Sequence, residues 1–320
     1  MRTEFRQVFV SNDEHRILFF GILLGTCVVG LVSNILSTIV LTRNKVFRNP
    51  FGLLTTVNSI GNTGVLLVFA FWVSPILLLN SLNPQDFVNR KMGQISLFFC
   101  ELAFHSSLFI SINRLMAISS PHFYRRVFTN KLTVCIIIFI VIIVTAYSCI
   151  FFLDGCNFFF DSSIHAFLFD DTKCGRLISV YVDLWYNVGL FVIVMCFDLV
   201  TLTLLKKASA RISGANEAAR KREHREIRFF LQAFTSTLLF VTMLISFHLI
   251  NFECGRTDYS CQFVTTSLAW ALSHACGGII LVIFNKEIRR LFPSPRRFVK
   301  LFETKSMNTI QRRSDDVAVF

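Results

Sequence analysis

The chain has 320 residues, of which 53% are hydrophobic and only 16% are charged, and its mean hydropathy is +0.59. This composition excludes an ordinary water-soluble domain and indicates a membrane protein. The net charge of +12 would suit a nucleic-acid partner if the basic residues formed one surface, but they lie in short stretches between apolar segments. We therefore expect contact with membrane lipids and no nucleic-acid partner.

Seven apolar segments are long enough to cross about 30 Å of hydrocarbon as helices. They cover residues 17–41, 51–79, 92–119, 132–153, 177–205, 229–252 and 262–284. A membrane barrel would need short alternating strands, whereas these segments are long and continuously apolar. The predicted fold is therefore all-α, a bundle of seven transmembrane helices. The third segment carries Glu101, His105 and Asn113, so we expect it in the middle of the bundle.

The distribution of basic residues predicts the orientation in the membrane. Of the 32 Lys and Arg residues, 24 lie in loops and the tail on one side of the bundle and 8 lie on the other side. Short basic loops remain in the cytoplasm during insertion. Residues 1–16 are therefore expected outside the cell, and the carboxyl terminus inside.

The segment after the seventh span has helical spacing of apolar residues. Ile288, Leu291 and Phe292 would share one face, with basic residues opposite, which predicts a short interfacial helix over residues 286–292. The receptor domain would then cover residues 17–292. The polar, basic tail over residues 293–320 is expected to be disordered.

Four of the ten cysteines fall in the second and third outer loops, where oxidation can occur. These are Cys156, Cys174, Cys254 and Cys261, and four cysteines allow three pairings. The pairs Cys156–Cys174 and Cys254–Cys261 are favoured because each closes one loop, with free thiols as the alternative.

The most informative motif is INRLMAISSPHFY, at the cytoplasmic end of the third span. By position alone, its arginine could extend to lipid phosphate or bind a partner. The motif resembles the D-R-Y-x-A-I-x-x-P-x-x-Y signature of rhodopsin-like G-protein-coupled receptors. That resemblance implies a role in G-protein coupling for Asn113, Arg114, Pro121 and Tyr124.

Other features narrow the resemblance. The Asp before the arginine is replaced by Asn113, the seventh span lacks N-P-x-x-Y, and the third span does not begin with a cysteine. The seventh span ends in HACGGIILVIFN, and a charged third inner loop precedes Phe229. Together these features resemble nematode serpentine chemoreceptors, most closely class X. The resemblance implies a G-protein-coupled chemosensory receptor, in the plasma membrane of sensory-neuron cilia, with a small-molecule ligand and a heterotrimeric G-protein partner.

Polar and aromatic side chains within the spans are the candidates for a ligand pocket. They are Glu101, His105, Asp183, Tyr186, His248, Trp270 and His274. Glu101 and His105 lie one turn apart on one helix face, where they can pair with each other or face a ligand. The aromatic residues can equally be membrane-interface anchors or packing residues.

The sequence contains no catalytic carboxylate pair, zinc motif, or nucleophile with a matching base, so we expect no enzyme activity, no metal and no cofactor. The seventh span has no lysine that could hold retinal. Two alternatives remain: a seven-helix ligand-gated odorant channel, whose amino terminus would be cytoplasmic, and an orphan receptor for a peptide.

Overall fold

The computed structural model describes residues 2–79, 86–211, 217–254, 258–285 and 288–289. Within these ranges, seven helices are long and apolar enough to cross a membrane, which confirms the predicted fold. They are His15–Arg43 (span 1), Pro50–Leu79 (span 2), Phe87–Ser119 (span 3), Asn130–Phe152 (span 4), Lys173–Lys207 (span 5), Phe230–Ile250 (span 6) and Tyr259–Phe284 (span 7).

The helices of spans 1 and 3 both begin ahead of the starts given by the hydropathy-based prediction. Span 1 is part of a helix that begins at Arg2 and ends at Arg43. Span 3 begins at Phe87 rather than at Met92, because the Asp86 side chain caps the helix by accepting a hydrogen bond from the Val88 backbone N–H at 3.2 Å. A polar helix terminus of this kind adds little hydropathy and is therefore missed by an apolar-run criterion.

Four spans contain a stretch of π-helical turns near the end of the bundle at which span 1 begins. We call this end the amino-terminal end. The π-helical stretches are Phe69–Val73, Ile178–Tyr186, Ser246–Ile250 and Val264–Leu268. Their wider turns redirect side chains relative to an α-helix and are frequent at functional sites.

The regular helices and short 3₁₀ turns complete the described bundle. The α-helical segments other than spans 1 and 3 are Pro50–Val68, Ser74–Leu79, Pro121–Val127, Asn130–Cys149, Lys173–Leu177, Asn187–Arg211, Glu217–Ile245, Asn251–Glu253, Tyr259–Phe263 and Ala269–Phe284. The 3₁₀ turns are Lys45–Phe47 and Ile150–Phe152.

A β-hairpin between spans 4 and 5 closes the amino-terminal end. Strand β1 (Phe158–Asp161) pairs antiparallel with β2 (Ala166–Phe169), and Phe158 lies opposite Phe169. The sequence did not predict this hairpin, because its aromatic run lacks the polar alternation of a half-exposed strand. Both faces of β1 are buried: Phe158, Phe159 and Phe160 are at most 6% exposed.

Span 3 is the central helix, in contact with spans 2, 4 and 5 and with β1. Its predicted polar residues are all buried, as expected for a helix surrounded by protein. Phenylalanines fill much of the core between the spans. Fully buried members are Phe69, Phe104, Phe158, Phe160, Phe167, Phe191, Phe240 and Phe263.

The predicted interfacial helix and tail fall mostly outside the described residues. Of residues 286–320, the structure describes only Ile288 and Arg289. The Ile288 side chain is fully buried against a small cluster that includes Leu41, Phe47 and Leu281.

Candidate functional site

A cluster of polar side chains, buried except for the half-exposed Tyr186, joins spans 3, 5 and 6 beneath the hairpin. Glu101 and His105 lie on successive turns of span 3, with His105 Nδ1 at 3.4 Å from Glu101 Oε2 and 2.8 Å from the Glu101 carbonyl oxygen. The other ring nitrogen, Nε2, hydrogen-bonds with the Tyr186 hydroxyl at 2.7 Å. The structure therefore brings three of the predicted pocket residues into direct contact.

Asp183 and His248 form the part of the cluster between spans 5 and 6. His248 Nε2 lies 2.7 Å from Asp183 Oδ2, and both side chains are nearly buried. Each residue belongs to a π-helical stretch, Ile178–Tyr186 or Ser246–Ile250. The irregular turns thus occur where the two spans bring a carboxylate against an imidazole.

Asn187 connects the Glu101–His105 pair with the Asp183–His248 pair, and it was not among the residues predicted from the sequence. Its amide Nδ2 donates to Glu101 Oε1 at 2.8 Å and to the Asp183 carbonyl oxygen at 3.1 Å. The residue is completely buried. Its position four residues after Asp183 in an apolar span was the available signal, because a buried amide in a membrane helix needs hydrogen-bond partners.

Trp270 and His274 belong to a second polar network. The indole N–H of Trp270 donates to His274 Nε2 at 3.0 Å, so Nε2 carries no proton and Nδ1 must donate to Asn62 Oδ1, 2.8 Å away. Asn62 Nδ2 in turn donates to Asn58 Oδ1 at 3.3 Å. This network joins spans 7 and 2.

The Phe104 ring lies between the two polar networks. It packs 6.4 Å from the His274 ring and belongs to the turn of span 3 that also carries Glu101 and His105. The predicted pocket is therefore divided: one network contains both carboxylates, and the other consists of neutral donors and acceptors. Asn34 supports the second network, since its Nδ2 donates to the His274 carbonyl oxygen at 3.2 Å.

At the opposite end of the bundle, Arg114 is buried beside an acidic residue of span 5. Its Nη1 lies 3.9 Å from Asp198 Oδ1, and the Arg114 and Asp198 side chains are 8% and 1% exposed. Ser111 donates a short hydrogen bond to the same carboxylate oxygen. The structure thus brings Arg114 and Asp198 into contact across spans 3 and 5.

The other residues of the arginine motif also lie at this end. Asn113 Nδ2 donates to the Tyr124 hydroxyl at 3.3 Å. Pro121 occupies the first turn of the helix Pro121–Val127, where its missing N–H and fixed φ are favourable. This helix carries Tyr124 back to the end of span 3, so all four predicted coupling residues belong to one region.

Two disulfides and an asparagine fix the loops at the amino-terminal end of the bundle. Cys156 is bonded to Cys174 and Cys254 to Cys261, the pairings favoured from the sequence. Asn89 of span 3 donates to the Phe160 carbonyl oxygen at 2.7 Å and accepts from the Phe160 N–H at 3.4 Å. The hairpin is thus linked covalently to span 5 and by hydrogen bonds to span 3.

The hairpin turn contains a buried histidine. His165 has a left-handed backbone with φ of 58° and packs its ring edge-on against Phe19 and Tyr259. Burial, helped by the nearby Arg16 charge, lowers the pKa of His165 to about 4. The ring is therefore neutral at physiological pH.

Among the described residues, no group of three or more His, Cys, Asp or Glu side chains is arranged to hold a metal ion. The side chains at the amino-terminal end can interact through charge and hydrogen bonds within the bundle. At the other end, an arginine is paired with a carboxylate across two spans.

Comparison with known proteins agrees with these features. The chain is 26% identical to serpentine receptor class X 45 of Caenorhabditis elegans over 85% of its length and 80% of the relative. It is 25% identical to serpentine receptor class X-43 of the same species, over 90% and 87%.

The fold is also similar to that of squid rhodopsin, with a TM-score of 0.71 and 14% identity, covering 90% of this chain and 87% of the rhodopsin. The family described as serpentine type 7TM GPCR chemoreceptor Srx matches residues 25–285, which include both polar networks and the arginine motif. The chain therefore belongs to the class X serpentine chemoreceptors of the seven-transmembrane G-protein-coupled receptor type.

Proposed function

We propose that this chain binds an external small molecule and, in response, activates a heterotrimeric G protein. The amino terminus would lie outside the cell and the arginine motif would face the cytoplasm. The excess of Lys and Arg on the arginine side supports this orientation, with 24 of 32 such residues there. Family membership supports a plasma-membrane location in sensory-neuron cilia.

The ligand would bind within the cluster formed by Glu101, His105, Asp183, Tyr186 and His248. Three separate spans contribute to this cluster, so a bound molecule can change their relative positions. Trp270 and His274 would contact this cluster indirectly, because the Phe104 ring packs against His274.

The observation that carries the proposal is the contact between Arg114 and Asp198. Asn113 is neutral and cannot pair ionically with the adjacent arginine, so the carboxylate comes instead from span 5. One oxygen of Asp198, Oδ2, is buried without a hydrogen-bond partner among the described residues. The pair is therefore incompletely satisfied, and a shift of span 5 can break it.

Breaking the pair would release Arg114 from Asp198, and the planar guanidinium donors suit carboxylate and carbonyl groups of a protein partner. Asn113 and Tyr124 would hold the end of span 3 and the following helix in place as the docking surface. The same cluster that binds ligand contains Asp183 and Asn187 of span 5, so one helix joins the two ends.

The test uses cells in which surface expression and basal second-messenger levels are measured together. Asp198→Asn removes the charge but keeps the shape, and we expect basal signalling to rise severalfold at equal expression. Arg114→Ala should abolish ligand-independent and ligand-evoked signalling. Asp171→Asn is the matched control, because Asp171 is 87% exposed and pairs only locally with Arg176.

Unchanged basal signalling in Asp198→Asn, at wild-type surface levels, would contradict the proposed lock. A current that persists without any G protein would favour the ligand-gated channel instead. Activation by a peptide, with small molecules inactive, would favour the orphan peptide receptor.

A further inference from the structure

The cluster between spans 3, 5 and 6 contains acceptor atoms that the protein itself leaves unused. Asn187 is 0% exposed, and while its Nδ2 makes two hydrogen bonds, its Oδ1 has no partner among the described residues. A buried carbonyl oxygen without a donor is costly and rare in native proteins. Asn187 Oδ1 therefore points to a donor that comes from outside the chain.

Other acceptor atoms lie beside this one. Asp183 uses Oδ2 for His248, and within the described residues its Oδ1 receives no hydrogen bond. The Tyr147 hydroxyl of span 4 is buried without a partner in the described structure, within electrostatic range of both Glu101 and Asp183. The unused atoms are thus mainly oxygen acceptors.

The charges in the cluster also favour a donor from outside the chain, and specifically a positively charged one. Glu101 and Asp183 are buried carboxylates, and across the described ranges neither forms an ion pair with a lysine or an arginine. Their ionic partners are the imidazoles of His105 and His248. Buried carboxylates favour a compensating cation, and the imidazoles carry charge only when protonated.

We propose that Glu101, Asp183 and Asn187 form a binding site for the ammonium group of a small protonated amine. This inference rests on the proposed receptor function and specifies its ligand class. An alkylammonium group has three N–H donors and one positive charge, which matches two carboxylates and an unpartnered amide oxygen. The aromatic rings of Tyr147 and Phe104 would lie near its apolar part.

A surface depression beside His248 is the entry route that we infer for this site. The depression, of about 330 Å³, is lined by His248, Leu249, Ile250 and Glu253, where span 6 ends at the amino-terminal end of the bundle. His248 lines this depression and is also the hydrogen-bond partner of Asp183. A cation attracted by the Glu253 carboxylate would reach Asp183 by displacing one imidazole, and the apolar lining would accommodate its hydrocarbon part.

The experiment measures the melting temperature of the purified full chain in lipid nanodiscs. The probes are a panel of primary alkyl and arylalkyl amines, each matched with the alcohol of the same carbon skeleton. Variants are Glu101→Gln, Asp183→Asn and Asn187→Leu, with Asp171→Asn as the control for loss of an exposed carboxylate. This measurement needs no G protein, because a ligand that binds only the folded state raises its stability.

We expect at least one amine to raise the melting temperature of the wild type and of Asp171→Asn, while its matched alcohol does not. Glu101→Gln and Asp183→Asn should need about tenfold more amine or greater for the same shift, as expected for loss of a charge-assisted hydrogen bond. If one of these variants does not fold, the other and Asn187→Leu provide the same comparison.

The inference is overturned if no amine shifts the wild type, or if the shift survives unchanged in all folded variants. If the amine site is overturned in either way but a neutral compound evokes signalling, the proposed receptor function still stands. Conversely, an amine that stabilises the chain but changes no second messenger would support this site and contradict G-protein coupling.

Discussion

At the scale of single residues, His165 links the stability of the amino-terminal end of the bundle to pH. Its ring is buried against Phe19 and Tyr259, and its carbonyl oxygen accepts a hydrogen bond from Ser267 at 2.8 Å. Burial lowers the pKa of His165 from 6.5 to about 4. Between pH 6.5 and about 4, the His165 ring is therefore mostly neutral in the folded chain and mostly protonated in the unfolded chain.

Folding stability should therefore fall as pH decreases from 6.5 to about 4, and be fully present above 6.5. At about 1.4 kcal/mol per pKa unit, the loss is at most about 3 kcal/mol, and partial hydration of the ring reduces it. Melting temperatures across this range provide the measurement. His165→Asn should weaken the dependence, because asparagine tolerates the left-handed backbone and does not titrate. An equal slope in both proteins would contradict this role.

Gly278 allows spans 7 and 1 to approach closely. A Cβ at this position would lie 2.7 Å from the Asn34 backbone nitrogen, so Gly278→Ala must push the spans apart. We expect destabilisation of roughly 1–3 kcal/mol, seen as a lower melting temperature. Gly189→Ala is the control, since a Cβ there meets nothing within 4 Å. Equal melting temperatures for both variants would refute the close-packing argument.

Some site residues were predictable from the sequence and others were not. Glu101 and His105 share a helix face by their spacing, which is a local property. The contacts of Arg114 with Asp198, and of Asn187 with Glu101, depend on how spans 3 and 5 are rotated and placed. Hydropathy does not encode that rotation, so the pocket prediction also grouped residues that the structure assigns to two networks.

At the scale of elements, the hairpin depends on span 3 as much as on its disulfide. Asn89 binds the backbone of Phe160 and also accepts a hydrogen bond from the Trp72 indole N–H at 3.1 Å. Close to it, Gly93 lets the Phe158 backbone touch span 3, where a Cβ would lie 2.1 Å from the Phe158 oxygen. Span 3 does not begin with a cysteine, and Asn89 links the start of this span to the hairpin.

Asn89→Ala should leave the Phe160 and Trp72 groups unpaired and destabilise the chain by about 2 kcal/mol or more. The melting temperature of the purified protein should fall, and proteolysis should cleave the hairpin faster. Asn130→Ala serves as the control, because Asn130 is exposed and makes one long hydrogen bond of 3.5 Å. A hairpin equally protected in both variants would show that the disulfide alone holds it.

The spans themselves were predicted well because membrane insertion selects long apolar runs, which any local window detects. The hairpin and the π-helical stretches were not predicted. The rings of Phe158 and Phe167 stack on each other and both pack against Trp270, which is a consequence of tertiary packing. The wider turns at Asp183 and His248 likewise have no signal in hydropathy.

At the scale of the whole molecule, the chain has two chemically different ends. One end has a disulfide-linked hairpin above buried carboxylates, and the other has Arg114 paired with Asp198. The described ranges contain seven candidate spans, and seven crossings would place the two termini on opposite faces of a membrane. The proposed receptor requires the carboxylate end to face the environment and the arginine end to face the cytoplasm.

Membrane orientation tests this requirement most directly. An epitope tag before Met1 and a second tag after Phe320 would be stained in intact and in permeabilised cells. We predict that the Met1 tag is stained on intact cells, and the Phe320 tag only after permeabilisation. Staining of the carboxyl-terminal tag on intact cells, with the amino-terminal tag protected, would contradict the receptor and match the channel orientation.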